Sequence, residues 1–407
     1  MTALKLAWRN IWRNRRRTVI TVASVMFAVF FSSLMTAIQS GTWDHMVDNV
    51  VKYYFGYVQI HAKDYWDERS IDLVMEEGEH WSKYAAQWQH QEGLAPRLES
   101  FALASFATHS QGVVVVGFDP VLEQSITNLQ QRMTSGEYPS SREDAGIWIG
   151  EALAELFKLK LGDTITLISQ GYQGVNAAGL FTVRGLIHFA SPELSKTMVF
   201  LPLTTAQTFF AAEGLISTVV VNVPNKDIAP KAIMEIRRTL AAEDYEVMDW
   251  QGMMPDLLQA KAIDEAGGRI MLYILYFIVA FGIFGTILMM TRDRRREFGI
   301  LISIGMKRAT LALMVWLENL FIGLMGVLVG FALSVPIIYY LMINPIRMTG
   351  DYAKAYEKFG AEPVIPTALS WSLLSHEALT VMILTTLLAL YPLISILTLK
   401  PVAAMRS

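Results

Sequence analysis

The sequence predicts an α-helical membrane protein with four transmembrane helices and a large extracytoplasmic α+β domain between the first and second of them. Three observations lead to this fold class. The 407-residue chain is 53% hydrophobic and only 17% charged, whereas an ordinary soluble domain is about 25% charged. Four apolar segments are each long enough to cross a bilayer, which takes about 20 residues. A long segment of mixed strand and helix patterns separates the first of them from the other three.

The four predicted spans cover residues 18–38, 270–290, 309–343 and 378–399. The first has an apolar run longer than the roughly 7–15 residues of a signal peptide, so we expect an uncleaved anchor. Only the third contains an acid, Glu318, which lies about 15 Å along the helix from Arg308. An acid inside a membrane is a functional candidate. Structural pairing with the neighbouring basic loop is the interpretation that we favour.

The positive charges predict how the chain crosses the membrane, because cytoplasmic loops near spans carry an excess of Lys and Arg. Bases cluster in 1–17, in the loop 291–308 and in the tail 400–407. Asp293 and Glu297 are the only acids in these segments. We therefore expect both termini and the loop 291–308 in the cytoplasm, with residues 39–269 and the loop 344–377 outside.

Residues 1–17 have the pattern of an amphipathic helix that lies on the inner leaflet and contacts membrane lipids. Leu4, Trp8, Ile11 and Trp12 fall on one face of a helix, and arginines occupy the other face. Tryptophan favours the membrane interface, and arginine favours the lipid phosphates. The alternative is that the arginines only supply flanking positive charge. The paired tryptophans favour the interfacial helix.

Residues 39–269 form the predicted extracytoplasmic domain, in which short apolar strands alternate with helices. Strands are predicted within 56–62, 113–118, 146–150, 164–169, 180–187, 197–201, 217–223 and 245–249, and helices within 151–160, 203–212 and 230–243. The acidic, Trp-rich segment 64–95 also has a helical pattern. The polar flanks 39–52 and 255–269 are predicted to continue the neighbouring spans as a two-helix stalk, the alternative being two flexible linkers.

Several classes of protein are excluded by what the sequence lacks. With no cysteine, the chain has no disulfide, thiol nucleophile or cysteine-based metal site. It contains no P-loop, H-E-x-x-H or G-x-S-x-G motif, and its seven histidines are scattered. A net charge of −3 argues against a general nucleic-acid binder. We therefore predict no catalytic residue, metal or cofactor in this chain and no nucleic-acid partner.

The loop 291–308, TRDRRREFGILISIGMKR, has the pattern of a short helix lying across the membrane surface, with Gly299 and Gly305 allowing close approach or a turn. Here the sequence resembles the R-x-R-E-[IF]-G-[IV]-L-x-x-[IL]-G signature of FtsX-like ABC transporter permeases. That family includes the MacB and the lipoprotein-releasing LolC/LolE permeases. The opening LKLAWRNIWRNRRRT, the closing LKPVAAMR and the domain segments GIWIGEALAELFKLKLGDTITLIS and MVFLPLTTAQTFF are similar to the same family.

The resemblance implies a permease subunit that works with a separate cytoplasmic ABC ATPase, because this chain, unlike MacB, carries no ATPase domain. ATP and Mg²⁺ would bind to that ATPase, and a second permease copy or a paralogue would complete the transporter. The implied location is the bacterial inner membrane, with the MacB-like domain in the periplasm. ATP-driven movement of that domain would extract or export a lipoprotein or another amphiphile. The alternative is a non-transporting FtsX-like regulator that activates a periplasmic hydrolase.

Three groups of residues follow from the resemblance. The coupling segment, which would dock on the ATPase, comprises Arg294, Arg295, Arg296, Glu297, Phe298, Gly299, Ile300, Leu301, Gly305, Met306 and Lys307. The outer ends of the first two spans would contact the amphiphile, or else only pack against helices and lipid, through Phe30, Phe31, Leu34, Met35, Ile38, Ile270, Tyr273 and Phe277. The loop that would bind a periplasmic carrier or adaptor, or else is a mobile hairpin tip, contains Gln170, Gly171, Tyr172, Gln173 and Gly174.

Overall fold

The computed structural model describes residues 2–13, 15–189, 191–241, 243–351, 353 and 363–400. The chain divides into two compact units. The helical unit contains the chain up to Asp44, Ala260–Arg347 and the segment from Val364 onward. The inserted domain is formed mainly by His45–Gln259. Residues 401–407, which include most of the closing motif, and residues 352 and 354–362 of the predicted outer loop 344–377 lie outside the described residues.

Among the described residues, four helices are long and apolar enough to cross a membrane, which confirms the predicted number of spans. The helices of the helical unit are, in chain order, α1 (Thr2–Arg13), α2 (Arg15–Val50), α11 (Pro255–Asp293), α12 (Arg295–Ser303), α13 (Arg308–Ile343), α14 (Trp371–Leu388) and α15 (Leu390–Leu397). The crossing helices are α2, α11, α13 and the pair α14 and α15. Numbers α3 to α10 belong to the inserted domain.

Both polar flanks of the inserted domain are helical, because α2 extends to Val50 and α11 begins at Pro255. Within the helical unit, the Asp264 carboxylate of α11 accepts hydrogen bonds from two side chains of α2. These are Gln39 Nε2 at 2.9 Å and Trp43 Nε1 at 2.7 Å. The two helices are therefore joined by polar contacts beyond the apolar spans.

The fourth crossing helix begins earlier than the predicted boundary at residue 378. Helix α14 begins at Trp371 and includes Glu377, which is buried and accepts hydrogen bonds from the hydroxyls of Tyr276 and Thr36. The charged residue ended the apolar run in the sequence, so Glu318 is not the only acid in a crossing helix. The helix breaks at Ala389 because Pro392 provides no N–H for the carbonyl of Leu388.

Two glycines allow α13 to pack closely against α2. A Cβ on Gly326 would lie 2.5 Å from Cβ of Val25, and one on Gly330 would lie 2.8 Å from Cβ of Val29. Small residues at such positions let two membrane helices approach backbone to backbone. The apolar core of this region continues to Ile283 and Ile287 of α11 and to Val381 of α14.

The inserted domain is a mixed structure built on a ten-stranded sheet. Its strands in that sheet are β1 (Val58–Ala62), β3 (Gly93–Phe106), β4 (His109–Phe118), β5 (Met133–Gly136), β6 (Gly146–Gly150), β7 (Thr164–Gln170), β8 (Asn176–Ile187), β9 (Met198–Pro202), β11 (Thr218–Asn222) and β12 (Tyr245–Asp249). A short pair outside this sheet is β2 (Met75–Glu76) with β10 (Leu215–Ile216). Another short pair, β13 (Ile346–Arg347) with β14 (Val364–Ile365), belongs to the helical unit. The helices of the inserted domain are α3 (Tyr65–Glu68), α4 (His80–Ala85), α5 (Pro120–Gln124), α6 (Glu151–Phe157), α7 (Pro192–Thr197), α8 (Leu203–Phe210), α9 (Ala229–Thr239) and α10 (Trp250–Met253).

Six of these strands close into a barrel. Pairing runs from β3 to β4, β9, β6, β8 and β7, and β7 returns to β3. The inward side chains of the barrel, such as Val115, Ile149 and Leu167, belong to the main core of the domain. Strand β3 also pairs with β11 through its first half, which attaches the sheet β12-β1-β11 to the barrel.

The longest strand of the domain, β3, is absent from the predicted strands, and the segment before it was wrongly expected to be helical. Strand β3 contains Pro96, the charged Arg97 and Glu99, and several alanines, so it shows no β-branched run. Residues 64–95 form only the short helices α3 and α4 and the short strand β2. Their tryptophans are partly or fully buried in the domain core, which gave the segment its helix-like apolar spacing.

A buried histidine makes the stability of the inserted domain depend on pH. His61 on β1 is fully buried, its Nδ1 lies 3.1 Å from Thr218 Oγ1, and its ring stacks on Tyr65. Burial, assisted by the positive charge of Arg69, lowers the pKa of His61 to about 3. The unfolded chain, with a histidine pKa of about 6.5, therefore binds this proton first as the pH falls.

We expect this proton to destabilise the inserted domain progressively from pH 6.5 towards pH 3, by on the order of 3 kcal/mol at pH 4. Urea unfolding of the full chain, followed by tryptophan fluorescence, measures the effect. His61→Phe should remove this part of the pH dependence, whereas His109→Phe, at an exposed hairpin turn, should leave it unchanged. Equal pH dependence in both variants would contradict the assignment to His61.

Candidate coupling site

The predicted surface segment after the second crossing helix contains the nine-residue helix α12. The helix ends in a hydrogen-bonded turn in which the N–H of Gly305 donates to Ile302 O and that of Met306 donates to Leu301 O, both at 3.0 Å. Gly305 has φ +106°, a conformation that glycine adopts most easily. This turn sets the direction in which the chain enters α13.

The turn predicts the effect of a substitution at Gly305. A Cβ there would meet nothing within 4 Å, so alanine costs only backbone strain, and we expect a loss of about 1 kcal/mol. The thermal midpoint of the purified chain in detergent measures this loss. Gly282→Ala is the matched control, because Gly282 lies within helix α11, also has open space, and alanine favours a helix. An equal change in the two variants would rule out the strained turn.

One face of α12 is buried in the helical unit. Phe298 is only 1% exposed and packs with Ala7 of α1, Val315 of α13 and Ile396 of α15. Leu301 and Met306 pack at the edge of the same cluster. Phe298 therefore holds the helix in place and is not exposed to a partner, whereas Leu301 and Met306 are only partly buried.

The opposite face of α12 presents apolar and basic side chains to the outside of the unit. Ile304 is 79% exposed and Ile300 is 42% exposed. Arg296 and Lys307 are exposed near them. Ile304 is missing from the residues predicted for coupling, although its position four residues after Ile300 on one helical face would have indicated it. We call Arg296, Ile300, Ile304 and Lys307 the coupling tip.

Ion pairs fix the base of α12 to its neighbours. Nη1 of Arg294 lies 2.8 Å from each carboxylate oxygen of Glu318 on α13, and both side chains are almost fully buried. The structure thus confirms the pairing of Glu318 with the basic loop. Glu297 pairs with Arg13 of α1 at 2.5 Å, and Asp293 pairs with Arg17 of α2. The two acids of the loop therefore serve to attach it to α1 and α2.

Helix α1 packs against the helical unit with the side that carries Ala7 and Ile11, and three of the four residues predicted to face lipid are exposed. Ala7 and Ile11 are fully buried, whereas Leu4, Trp8 and Trp12 are about half exposed. Ile11 was expected on the lipid-facing side, but its side chain faces the same way as Ala7, one helical turn earlier. Trp8 remains at the edge and packs on Phe321 of α13 with 5.9 Å between ring centroids.

Four of the eight residues predicted for amphiphile contact lie together. Phe31, Leu34, Met35 and Ile38 line an open groove along α2 that ends at the polar side chains of Gln39, Thr42 and Asp264. Phe30 lies beside it and packs edge-on against Phe31. Ile270, Tyr273 and Phe277 are strongly exposed on one face of α11, and none of them lines this groove.

The candidate partner loop joins β7 to β8 and is folded onto the inserted domain. The backbone N–H of Gln173 donates to Asp72 Oδ1 at 2.7 Å, and Tyr172 packs against the main core. Gly171 lies so close to Phe210 that a Cβ would come within 2.5 Å of its carbonyl oxygen. The exposed part of the loop is therefore limited to its tip. Among the described residues, no group of three potential metal ligands comes together.

Comparisons with known proteins agree with the two-part organisation. The MacB-like periplasmic core domain model matches residues 18–239, more than half of the chain, and the FtsX-like permease C-terminal model matches residues 269–401. The lipoprotein-releasing system transmembrane protein LolC of Xylella fastidiosa (strain 9a5c) is 22% identical over 325 residues, 77% of each chain. LolC of Neisseria meningitidis serogroup B is 21% identical over 58% of each chain. The crystal structure of the periplasmic region of MacB from Actinobacillus actinomycetemcomitans is 13% identical and covers 52% of this chain and 97% of that one, with a TM-score of 0.36.

Proposed function

Because the chain belongs to the family of ABC transporter permeases with a MacB-like periplasmic core domain and an FtsX-like C-terminal region, we propose that it transmits mechanical work. In this proposal a separate cytoplasmic ATPase binds and hydrolyses ATP with Mg²⁺. The ATPase moves α12, and the crossing helices carry the movement to the inserted domain. The chain itself performs no chemistry, and its role is to couple hydrolysis on one side of the membrane to movement on the other.

The coupling tip is the observation that carries this proposal. Exposed isoleucines on a short helix between two crossing helices are unfavourable in water, but they would be stabilised in a hydrophobic cleft of a partner. The basic side chains beside them favour an acidic rim around that cleft. Because Phe298 and the Arg294–Glu318 pair hold α12 against α13, a push on the tip is passed to the helical unit instead of bending a loop.

For the substrate we propose a lipoprotein or another amphiphile, taken from the outer leaflet. The support is the groove lined by Phe31, Leu34, Met35 and Ile38, whose apolar wall ends at polar groups. Two relatives are named as lipoprotein-releasing proteins, at 22% and 21% identity. The exposed tip of the loop 170–174 would be the contact for a periplasmic carrier.

We further propose that the chain lies in a bacterial inner membrane, pairs with a second copy or a paralogue, and has both termini in the cytoplasm. The excess of Lys and Arg in 1–17 and 291–308 supports this orientation. Protease added outside intact spheroplasts should then cut within residues 39–269. Cleavage of that domain only in inverted vesicles would contradict the orientation.

The experiment that tests the proposed function is affinity purification of the full chain in mild detergent, with mass spectrometry of the proteins that accompany it. An ABC ATPase in stoichiometric amount supports the proposal, and a second permease in the same sample would show a heterodimer. Absence of any ATPase in several detergents would overturn it. A periplasmic hydrolase bound to the inserted domain, in place of a carrier, would favour the regulator over the transporter.

A further inference from the structure

Helix α2 ends in an unusual turn inside the inserted domain. After Val50 the chain continues as the π-helical turn Val51–Phe55, and then reaches Gly56 at φ +69° before strand β1. Short π-helical segments within helices are rare and often occur at functional positions. Val51 is fully buried in the main core of the domain. The end of this helix is therefore embedded in the domain and is not a free linker.

Tyr54, in this turn, makes a buried polar contact with the barrel. Its hydroxyl donates to Glu99 Oε2 at 2.9 Å, and both side chains are about 95% buried or more. Its ring lies in the second apolar cluster of the domain, beside Val116 and Phe118 of β4. Burial raises the pKa of Tyr54 well above its usual range, so the hydroxyl stays protonated and remains a donor.

Glu99 in turn belongs to a buried ion network on the outer face of β3. Arg97 reaches Glu99 at 3.4 Å and forms two hydrogen bonds with Glu123, at 2.6 and 3.0 Å. Thr127 donates to the same carboxylate of Glu123 at 2.7 Å. Such a network resists distortion, because separating any partner would leave a buried charge without compensation.

We propose that Tyr54 is the positioning residue through which the end of α2 is fixed to the barrel, so that movement of the helix turns the sheet instead of bending the junction. This inference rests on the proposed mechanical function. The Tyr54–Glu99 hydrogen bond joins the helix end to β3, which is a strand of the barrel and also pairs with β11 of the sheet β12-β1-β11. Movement applied at this point therefore reaches both parts of the domain.

A second tyrosine provides a matched control for Tyr54. Tyr65 is equally buried, and its hydroxyl donates to the backbone carbonyl of the same residue, Glu99, at 3.0 Å. Tyr65 lies on α3 and not on the continuation of α2. Tyr54→Phe and Tyr65→Phe thus each remove one buried hydrogen bond to Glu99, but only the first removes a hydrogen bond between the end of α2 and β3.

The test uses the full chain with the ATPase that accompanies it. The absence of cysteine lets a spin label be placed at Ser303→Cys on α12 and at Glu155→Cys on α6, and the distance between them is compared with and without ATP. We expect Tyr54→Phe to reduce the ATP-dependent change in distance several-fold while ATP hydrolysis continues. The Tyr65→Phe variant should retain the change. Glu99→Gln keeps an acceptor for the Tyr54 hydroxyl but removes the negative charge, so we expect a reduction of the distance change between those of the two tyrosine variants. If Tyr54→Phe fails to fold, Glu99→Gln tests the same hydrogen bond.

Three outcomes distinguish a failure of the role proposed for Tyr54 from a failure of the proposed mechanical function. A normal ATP-dependent change in Tyr54→Phe would overturn the role of Tyr54 and leave the mechanical function standing. An equal loss in Tyr54→Phe and Tyr65→Phe would also overturn it, because a merely structural hydrogen bond would then explain both. No change in distance in the wild-type complex, despite ATP hydrolysis, would overturn the mechanical function itself.

Discussion

Replacing Glu318 with alanine should destabilise the helical unit by about 3–5 kcal/mol, the largest stability effect that we expect in this chain. The substitution would leave the guanidinium of Arg294, only 11% exposed, without the buried carboxylate that lies 2.8 Å from it and with only the half-exposed carboxylate of Glu297, 3.5 Å from its Nε. Burying an unpaired charge costs far more than the pair itself contributes. The thermal midpoint of the purified chain in detergent, or its resistance to unfolding by SDS, measures the loss.

A double variant separates this charge effect from simple loss of packing. Arg294→Met with Glu318→Leu removes both charges and keeps side-chain volume, so we expect it to be much more stable than Glu318→Ala. Glu297→Ala breaks the pair with Arg13, in which the side chains are 49% and 58% exposed, and the longer contact of 3.5 Å with Arg294. Because the Glu297 carboxylate is half exposed and Arg294 keeps Glu318, this change should cost less than about 1 kcal/mol. If Glu297→Ala lowered the stability as much as Glu318→Ala, burial of the charge pair would not explain the loss of stability in Glu318→Ala.

The second large effect concerns binding of the ATPase. If the proposed function is correct, Ile304→Asp should weaken the association of the chain with the proposed ATPase by about 100-fold, because the change would remove an apolar side chain from the interface and introduce a charge that must be desolvated. Ile304 is 79% exposed, so the variant should fold normally. Co-purification of the ATPase and ATP hydrolysis by the complex measure the association. Glu297→Lys combined with Gly305→Trp should also abolish it.

The control for Ile304→Asp uses the same substitution elsewhere on the surface. Ile263 is 66% exposed on α11, far along the sequence from the coupling tip, so Ile263→Asp should leave the association unchanged. Retention of the ATPase by Ile304→Asp at wild-type level would show that the partner contacts another surface. Loss of the ATPase in both variants would indicate a general effect of the added charge.

The crossing helices and the coupling segment could be predicted because their signals are local. An uncharged apolar run of sufficient length has few alternatives to a membrane span. The alternation of apolar and charged residues after Thr291 likewise indicates a short surface helix, and the structure has α12 there. Most strands of the inserted domain were also identified, since runs such as Val113–Phe118 are strongly β-branched.

Two of the errors, at Glu377 and at strand β3, share one cause: the type of a polar residue does not reveal whether a distant partner allows it to be buried. Glu377 ended the predicted fourth span, yet Tyr276 and Thr36 provide hydrogen bonds that allow it to lie inside α14. Strand β3 is absent from the prediction because charged residues such as Arg97 and Glu99 are usually exposed. In the structure both are buried, and they form hydrogen bonds with Glu123 and Tyr54. In both cases the partners are distant in the sequence, and their proximity is a property of the folded chain.

The contrast between local sequence signals and contacts of distant residues applies to function as well. Length, apolarity and charge along the chain were sufficient to predict a four-span membrane protein with one large inserted domain, because each depends on neighbouring residues. The permease role followed from the resemblance of the loop 291–308 and other segments to a known family. Three other features depend on side chains brought together from distant segments. These are the exposed face of α12, the pairing of Arg294 with Glu318 and the attachment of the end of α2 to β3. Those contacts are created by closure of the barrel and packing of the helices, and their burial determines whether a charge anchors the fold or remains free to bind a partner.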